Sequence, residues 1–117
     1  MANPGIFKNY KVNGDLAPYR IVALGDKCVT QAVAAGEAII GTTDEIGKHS
    51  NGGADIALSG LPEVVCGAAV APGDPLTADI HGRAVPAHAD DRIIGFALED
   101  GVEGDIITYC HSLGFAL

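Results

Sequence analysis

The sequence has few basic and few aromatic residues. Seven Lys and Arg stand against fifteen Asp and Glu, a formal net charge of −8 at pH 7, and there is no Trp beside three Phe and three Tyr. A nucleic-acid-binding protein needs a basic surface to displace counterions from the phosphates. We therefore expect no direct nucleic-acid partner. A hydrophobic content of 48% also excludes a disordered acidic tail and indicates a folded acidic domain.

Long apolar runs are absent too. No segment approaches the ~20 apolar residues of a membrane span, and residues 1–10 lack the apolar core of a signal peptide. We expect synthesis in the cytoplasm and no membrane partner. The three cysteines, Cys28, Cys66 and Cys110, form no Cys-x-x-Cys motif, which favours free buried thiols over a disulfide or a redox role.

Motifs of catalysis and cofactor binding are missing. There is neither a Gly-x-Ser-x-Gly elbow nor a phosphate-binding loop, and the four histidines lack zinc-ligand spacing. The carboxylates cluster where turns are expected, and solvated turn carboxylates make poor general acids. Calcium is a minor alternative there, although the EF-hand spacing is absent. The sequence therefore predicts no enzyme, no catalytic residue, no metal site and no cofactor. The histidines are His49, His81, His88 and His111.

What the sequence does contain is turn formers between short apolar runs. Sixteen Gly and six Pro argue against a bundle of long helices. Most runs are four to seven residues long and rich in β-branched side chains, which indicates about seven to nine strands in a small barrel or a sandwich. Residues 27–38 fit a short helix or a strand. The predicted strands cover residues 19–24, 38–43, 55–58, 63–68, 76–78, 92–98 and 105–110.

Three short patterns occur twice in the same order. They are Gly25-Asp26 with Gly73-Asp74, Ile39-Ile40-Gly41 with Ile93-Ile94-Gly95, and Asp55-Ile56 with Asp105-Ile106. Their offsets of 48, 54 and 50 positions favour a duplicated unit of about fifty residues, against the alternative of recurrent turn chemistry. We predict an extended arm over residues 1–15 and one β domain over 16–117, with units at 16–62 and 63–112.

Glycine and aspartate have architectural roles in this prediction. A Gly-Asp step allows a positive φ at Gly, while the carboxylate accepts hydrogen bonds from nearby backbone N–H groups. Glycine inside a strand marks a bulge or a close backbone approach, which we expect at Gly41 and Gly95. The residues predicted to shape turns are Gly25, Asp26, Gly73, Asp74, Gly82, Gly104 and Asp105.

The second half contains a longer series of turn and strand motifs. They are a Gly-Asp turn, a strand ending in Thr-x-Asp, a Gly-Arg-Ala-Val hairpin, an Ile-Gly-x-Ala-Leu strand and a final Gly-Asp strand. The residues of this series are Gly73, Asp74, Thr77, Asp79, Gly82, Arg83, Ala84, Val85, Ile94, Gly95, Ala97, Leu98, Gly104 and Asp105. The series resembles the pattern of the capsid decoration, or cement, proteins of tailed bacteriophages. The match covers residues 64–109 well and 16–61 more loosely.

The resemblance implies a structural virion protein on the outer surface of a phage head. Such a protein binds between major-capsid subunits, stabilises the expanded head and needs no cofactor. It implies the major capsid protein as partner and self-association into a homotrimer.

Both ends of the chain are apolar, which is unusual for a free monomer. We expect these residues to contact a neighbouring subunit or the capsid, with closure of the domain's own core as an equal alternative. The residues are Pro4, Ile6, Phe7, Tyr10, Leu113, Phe115 and Leu117.

Two other functions stay open at this point. Small duplicated β domains also serve as lipoyl or biotinyl carriers, and Lys48 lies in a predicted loop. However, the carrier neighbours Asp-Lys-Ala or Met-Lys-Met are absent, which favours a solvated lysine. An accessory domain of a larger complex and a small-ligand-binding β barrel are the remaining alternatives.

Overall fold

The computed structural model describes residues 5–117, and that part of the chain consists of ten β-strands joined by turns. Within it there is no helix that could cross a membrane. The strands are β1 (Phe7–Lys11), β2 (Ile21–Leu24), β3 (Val29–Gln31), β4 (Ile39–Thr43), β5 (Gly53–Ala57), β6 (Glu63–Val65), β7 (Pro75–Ala78), β8 (Ala84–Pro86), β9 (Arg92–Ala97) and β10 (Ile106–Phe115).

The strands form two five-stranded antiparallel sheets in a sandwich-like arrangement. The strand orders are β1-β5-β4-β2-β3 and β6-β10-β9-β7-β8, so the second sheet repeats the order of the first. Within residues 5–117 the edge strands of each sheet meet only at isolated pairs, Val12 with Val29 and Cys66 with Ala84. The prediction of an all-β, sandwich-like domain is confirmed, and the closed-barrel form is wrong.

Three strands lie outside the strands predicted from the sequence, and β10 extends five residues beyond its predicted end at Cys110. β1 lies in the segment predicted as an extended arm and pairs with β5 at the sheet edge, where four of its five residues are exposed. β3 lies inside the ambiguous segment 27–38 and pairs with β2. The Glu37 carboxylate accepts hydrogen bonds from the N–H groups of Val33 and Ala34. These bonds stabilise a turn in place of a helix. β8 is the third, and its hairpin with β7 appeared only in the phage resemblance.

The two copies of one repeated sequence pattern occupy equivalent positions in the two sheets. Ile39-Ile40-Gly41 lies in β4 and Ile93-Ile94-Gly95 in β9, the middle strands of the two sheets. A Cβ atom at Gly41 would collide with the Ala57 carbonyl oxygen, and one at Gly95 with the Cys110 carbonyl oxygen. Both glycines therefore allow a close approach of the neighbouring strand's backbone.

The Gly-Asp pairs are less uniform than the repeat suggested. Gly25-Asp26 follows β2, whereas Gly73-Asp74 precedes β7. Gly73 and Gly104 have φ of 88° and 92°, and the next residue in each case closes the turn. The Asp74 carboxylate accepts from the Ala71 N–H at 2.9 Å, and the Asp105 carboxylate accepts from the Val102 N–H at 3.0 Å. These acids therefore serve as turn caps.

Buried side chains form two clusters. One lies within the first sheet and includes Val22, Val29 and Ile56. The larger one joins residues of both sheets, with Ile21 and Ile39 packed among Leu76, Ile94 and Tyr109. The Tyr109 hydroxyl lies 2.9 Å from the Thr42 hydroxyl, and both residues are completely buried. This hydrogen bond links β10 of one sheet to β4 of the other.

Candidate contact surfaces

The predicted N-terminal contact residues lie on a fixed backbone. The Ile6 N–H donates to Ser59 Oγ at 2.9 Å, and the Leu58 N–H donates to the Ile6 carbonyl at 2.8 Å. The side chains of Ile6 and Phe7 are 67% and 39% exposed. Tyr10 differs, because it packs against the first-sheet cluster. Pro4 lies outside the described residues.

The predicted C-terminal contact residues are also exposed. Leu113 and Phe115 end β10, which pairs with β9 on either side of a bulge between His111 and Gly114. Beyond it, the Asp90 N–H donates to the Ala116 carbonyl and the Ala116 N–H donates to the Asp91 carbonyl. The backbone is therefore tied to the β8–β9 turn. Leu113, Phe115 and Leu117 nevertheless keep half or more of their surface in solvent.

A groove of about 350 Å³ runs beside this C-terminal segment. One wall comes from β2, β4 and the residue before β4, and the other comes from β9 and β10. The Arg92 guanidinium carbon lies 5.4 Å from the centre of the Phe115 ring, a cation–π distance. His111 Nε2 donates to the Ile40 carbonyl at 2.8 Å, which joins the two walls. The lining residues are Leu24, Ala38, Ile39, Ile40, Arg92, Ile93, Leu113, Gly114 and Phe115.

Sequence reasoning missed a second apolar surface, which is formed by β9, the residue that follows it and β10. Phe96, Leu98 and Ile106 are each at least 40% exposed. Phe96 lies directly opposite the exposed Cys110 in the β9–β10 ladder. The sequence contains a signal for this surface. Side chains alternate between the two faces of a strand, so Phe96 and Leu98, two positions apart, are expected on the same face.

The three cysteines are free thiols, but only Cys66 is fully buried. Burial raises the pKa of the Cys66 thiol, and the charges of Asp105 and Glu99 raise it further. A raised pKa keeps this thiol protonated and weakly nucleophilic. Cys28 is partly buried and Cys110 is exposed. The prediction of buried thiols is therefore wrong for these two: Cys28 lies in the turn before β3, and Cys110 lies exposed in the middle of β10.

Lys48, the residue considered as a carrier lysine, is held by the fold. Its Nζ donates to the Gly14 carbonyl at 2.8 Å, and its backbone N–H donates to the Leu16 carbonyl at 3.0 Å. These contacts anchor the β4–β5 loop to the segment that follows β1. A lysine used in this way is not presented freely at a hairpin tip.

No protein-family model matches the chain, and no curated protein matches it by sequence. Among solved structures, the chain is similar to the head fiber gp8.5 N base of bacteriophage phi29. The TM-score is 0.64, and the superposition covers 92% of this chain and 93% of that chain at 22% sequence identity. At this identity the similarity concerns the fold.

Proposed function

We propose that this protein is a structural component of a phage virion. It binds the outside of the capsid between major-capsid subunits and stabilises the expanded head. The observation that carries the proposal is the fold shared, over nearly the full length of both chains, with a base domain of a phage head fiber. The resemblance of residues 64–109 to capsid decoration proteins supports the same function from the sequence side.

The proposed mechanism is mass action without chemistry. A protein that binds the expanded shell but not the unexpanded one lowers the free energy of the expanded state in proportion to RT ln(1 + [L]/Kd). A net charge of −8 suits the outer face of a particle, because like charges keep a crowded surface soluble.

The proposed contacts are the apolar side chains at the two chain ends. Ile6, Phe7, Leu113 and Phe115 are exposed while their backbone is held by strand pairing or neighbouring hydrogen bonds. A contact made by side chains on a fixed backbone loses little conformational entropy on binding. Self-association into a homotrimer at threefold positions would let individually weak contacts act together.

The test is binding to cognate shells. We expect the same genome to encode a major capsid protein. That capsid protein is assembled into shells, and the shells are expanded without the present protein. We expect the purified protein to co-sediment with expanded shells and to raise their melting temperature. Failure to bind them, or equal binding to unexpanded and expanded shells, would contradict the proposal.

Paired variants test the contact surface. Replacing Leu113 and Phe115 together by serine should weaken shell binding or self-association, as measured by co-sedimentation and light scattering. Ile80→Ser is the matched control, because Ile80 is 70% exposed and lies in the β7–β8 turn. If the double variant binds like the wild type and Ile80→Ser weakens binding, the contact surface lies on another face of the domain.

A further inference from the structure

The β4–β5 hairpin brings two carboxylates and an imidazole together. Asp44 directly follows β4, His49 lies in the connecting loop, and Asp55 lies in the middle of β5. One potential ligand atom of each residue lies within 4.8 Å of the other two, and all three residues are partly buried. The sequence alone predicted no metal site, because the four histidines lack zinc-ligand spacing and the carboxylates cluster where turns are expected. The Asn51-Gly52-Gly53 turn brings them together.

Local hydrogen bonds fix the three residues. Asp44 Oδ1 accepts from the N–H groups of Ile46 and Gly47 at 3.0 and 3.2 Å. Asp55 Oδ1 accepts from Asn9 Nδ2 of β1 at 3.1 Å. The His49 backbone N–H donates to the Gly53 carbonyl at 2.7 Å. Each carboxylate keeps its Oδ2 without a hydrogen bond in the described part of the chain, so one oxygen of each is available to a ligand.

The imidazole supplies an independent observation. His49 Nε2 is shielded from solvent, and no group in residues 5–117 hydrogen-bonds to it. Buried polar nitrogens ordinarily have a partner, and an exception calls for an explanation. Neither Asp44 nor Asp55 forms an ion pair with a basic side chain within the same residues. The Lys48 ammonium binds the Gly14 carbonyl. Two carboxylates and an imidazole with an unpartnered Nε2 therefore lie together, and within residues 5–117 neither carboxylate is ion-paired.

We propose that Asp44, His49 and Asp55 bind a divalent first-row transition metal ion, with Zn²⁺ preferred. Imidazole suits Zn²⁺ and related ions, carboxylate oxygens complete such a donor set, and calcium prefers oxygen ligands alone. Ligand atoms that are ~2.1 Å from a common ion lie at most about 4.2 Å apart, so the site closes by small side-chain rotations. The ion joins the ends of the β4–β5 loop, and through Asn9 it also strengthens the attachment of β1.

The direct test uses the full-length protein after removal of metal with a chelator. Isothermal titration with ZnCl₂ should show one site per chain, and Zn²⁺ should raise the melting temperature. His49→Gln and Asp55→Asn, which preserve size, should each weaken Zn²⁺ binding at least about tenfold. His88→Gln is the matched control, since that side chain is 95% exposed in a different turn, and it should bind like the wild type.

A second measurement needs no variant. Mn²⁺ added to isotopically labelled wild-type protein should broaden the amide resonances of residues 44–55 and of Asn9 first. The proposal is overturned if Zn²⁺ does not bind, if His49→Gln binds as tightly as the wild type, or if broadening begins at other carboxylates. CaCl₂ binding as tight as ZnCl₂ binding would contradict the proposed class of metal.

Discussion

The hydrogen bond between Thr42 and Tyr109 offers the sharpest test of how the two sheets are held together. Both side chains are completely buried, and their hydroxyl oxygens lie 2.9 Å apart although 67 positions separate them in the chain. Tyr109→Phe removes one hydroxyl and leaves Thr42 Oγ1 without its partner. Thr42→Val leaves the tyrosine hydroxyl in the same situation.

The expected magnitudes follow from the cost of an unpaired buried polar group. Each single substitution should lower the free energy of unfolding by ~1–3 kcal/mol, because the remaining hydroxyl is desolvated without compensation. The double variant replaces both partners by apolar groups of similar shape, which is nearly neutral. It should therefore lose less than the sum of the singles, with a coupling free energy of at least ~1 kcal/mol.

Equilibrium unfolding in urea measures these differences, with an unchanged m-value as the condition for comparison. Thr77→Val is the matched control. Thr77 is 2% exposed, and its hydroxyl has no hydrogen-bond partner within residues 5–117. The same substitution should therefore leave stability unchanged or raise it by up to ~1 kcal/mol. Additive losses at Thr42 and Tyr109, or a loss at Thr77 as large as at Thr42, would refute the reasoning.

Three further predictions concern stability. Gly41→Ala and Gly95→Ala should each lower the free energy of unfolding in urea by on the order of 2 kcal/mol or more, because the new Cβ collides with a backbone carbonyl. Gly36→Ala is the control and should be neutral or slightly stabilising, because Gly36 lies in open space. Equal effects at the three positions would contradict this reasoning. Asp90→Gly should raise the thermal midpoint and increase the free energy of unfolding by about 0.5–1 kcal/mol. Asp90 has a φ of 71°, which glycine adopts more readily, and Gly73 occupies the equivalent position of another turn. A lower midpoint would count against this prediction. Burial raises the pKa of the Tyr109 hydroxyl, so the folded state keeps a proton that the unfolded state loses near pH 10. The free energy of unfolding that depends on this proton is present below about pH 10 and falls above it. Tyr109→Phe should therefore lose less stability than the wild type when the pH rises from about 9 to about 11.

Much of the strand content follows from local sequence. The β-branched runs at 39–43 and 92–97 form the middle strands of the two sheets, and the Gly in each allows a close backbone approach. β1 could not be found in this way. Its sequence, Phe7–Lys11, is mostly polar and exposed. Its extended form depends on hydrogen-bonded pairing with β5, in which Asn9 pairs with Asp55, 46 positions later in the chain.

The surfaces were predictable only in part. Two alternatives were predicted for the apolar C-terminal residues, an intermolecular contact or closure of the domain's own core. The exposure of Leu113 and Phe115 agrees with the first alternative. The groove beside them depends on how two sheets meet, which no local pattern encodes. The same holds for the cluster of Asp44, His49 and Asp55, because a hairpin loop determines which of its residues converge.

The most direct test of the proposed function is electron cryomicroscopy of expanded cognate shells with and without the purified protein. A difference map should show a domain with extents of about 36 × 30 × 23 Å on the outer surface, at the junctions between major-capsid subunits. Shells with identical maps under saturating protein, or added density only on the inner surface, would contradict the proposed virion function.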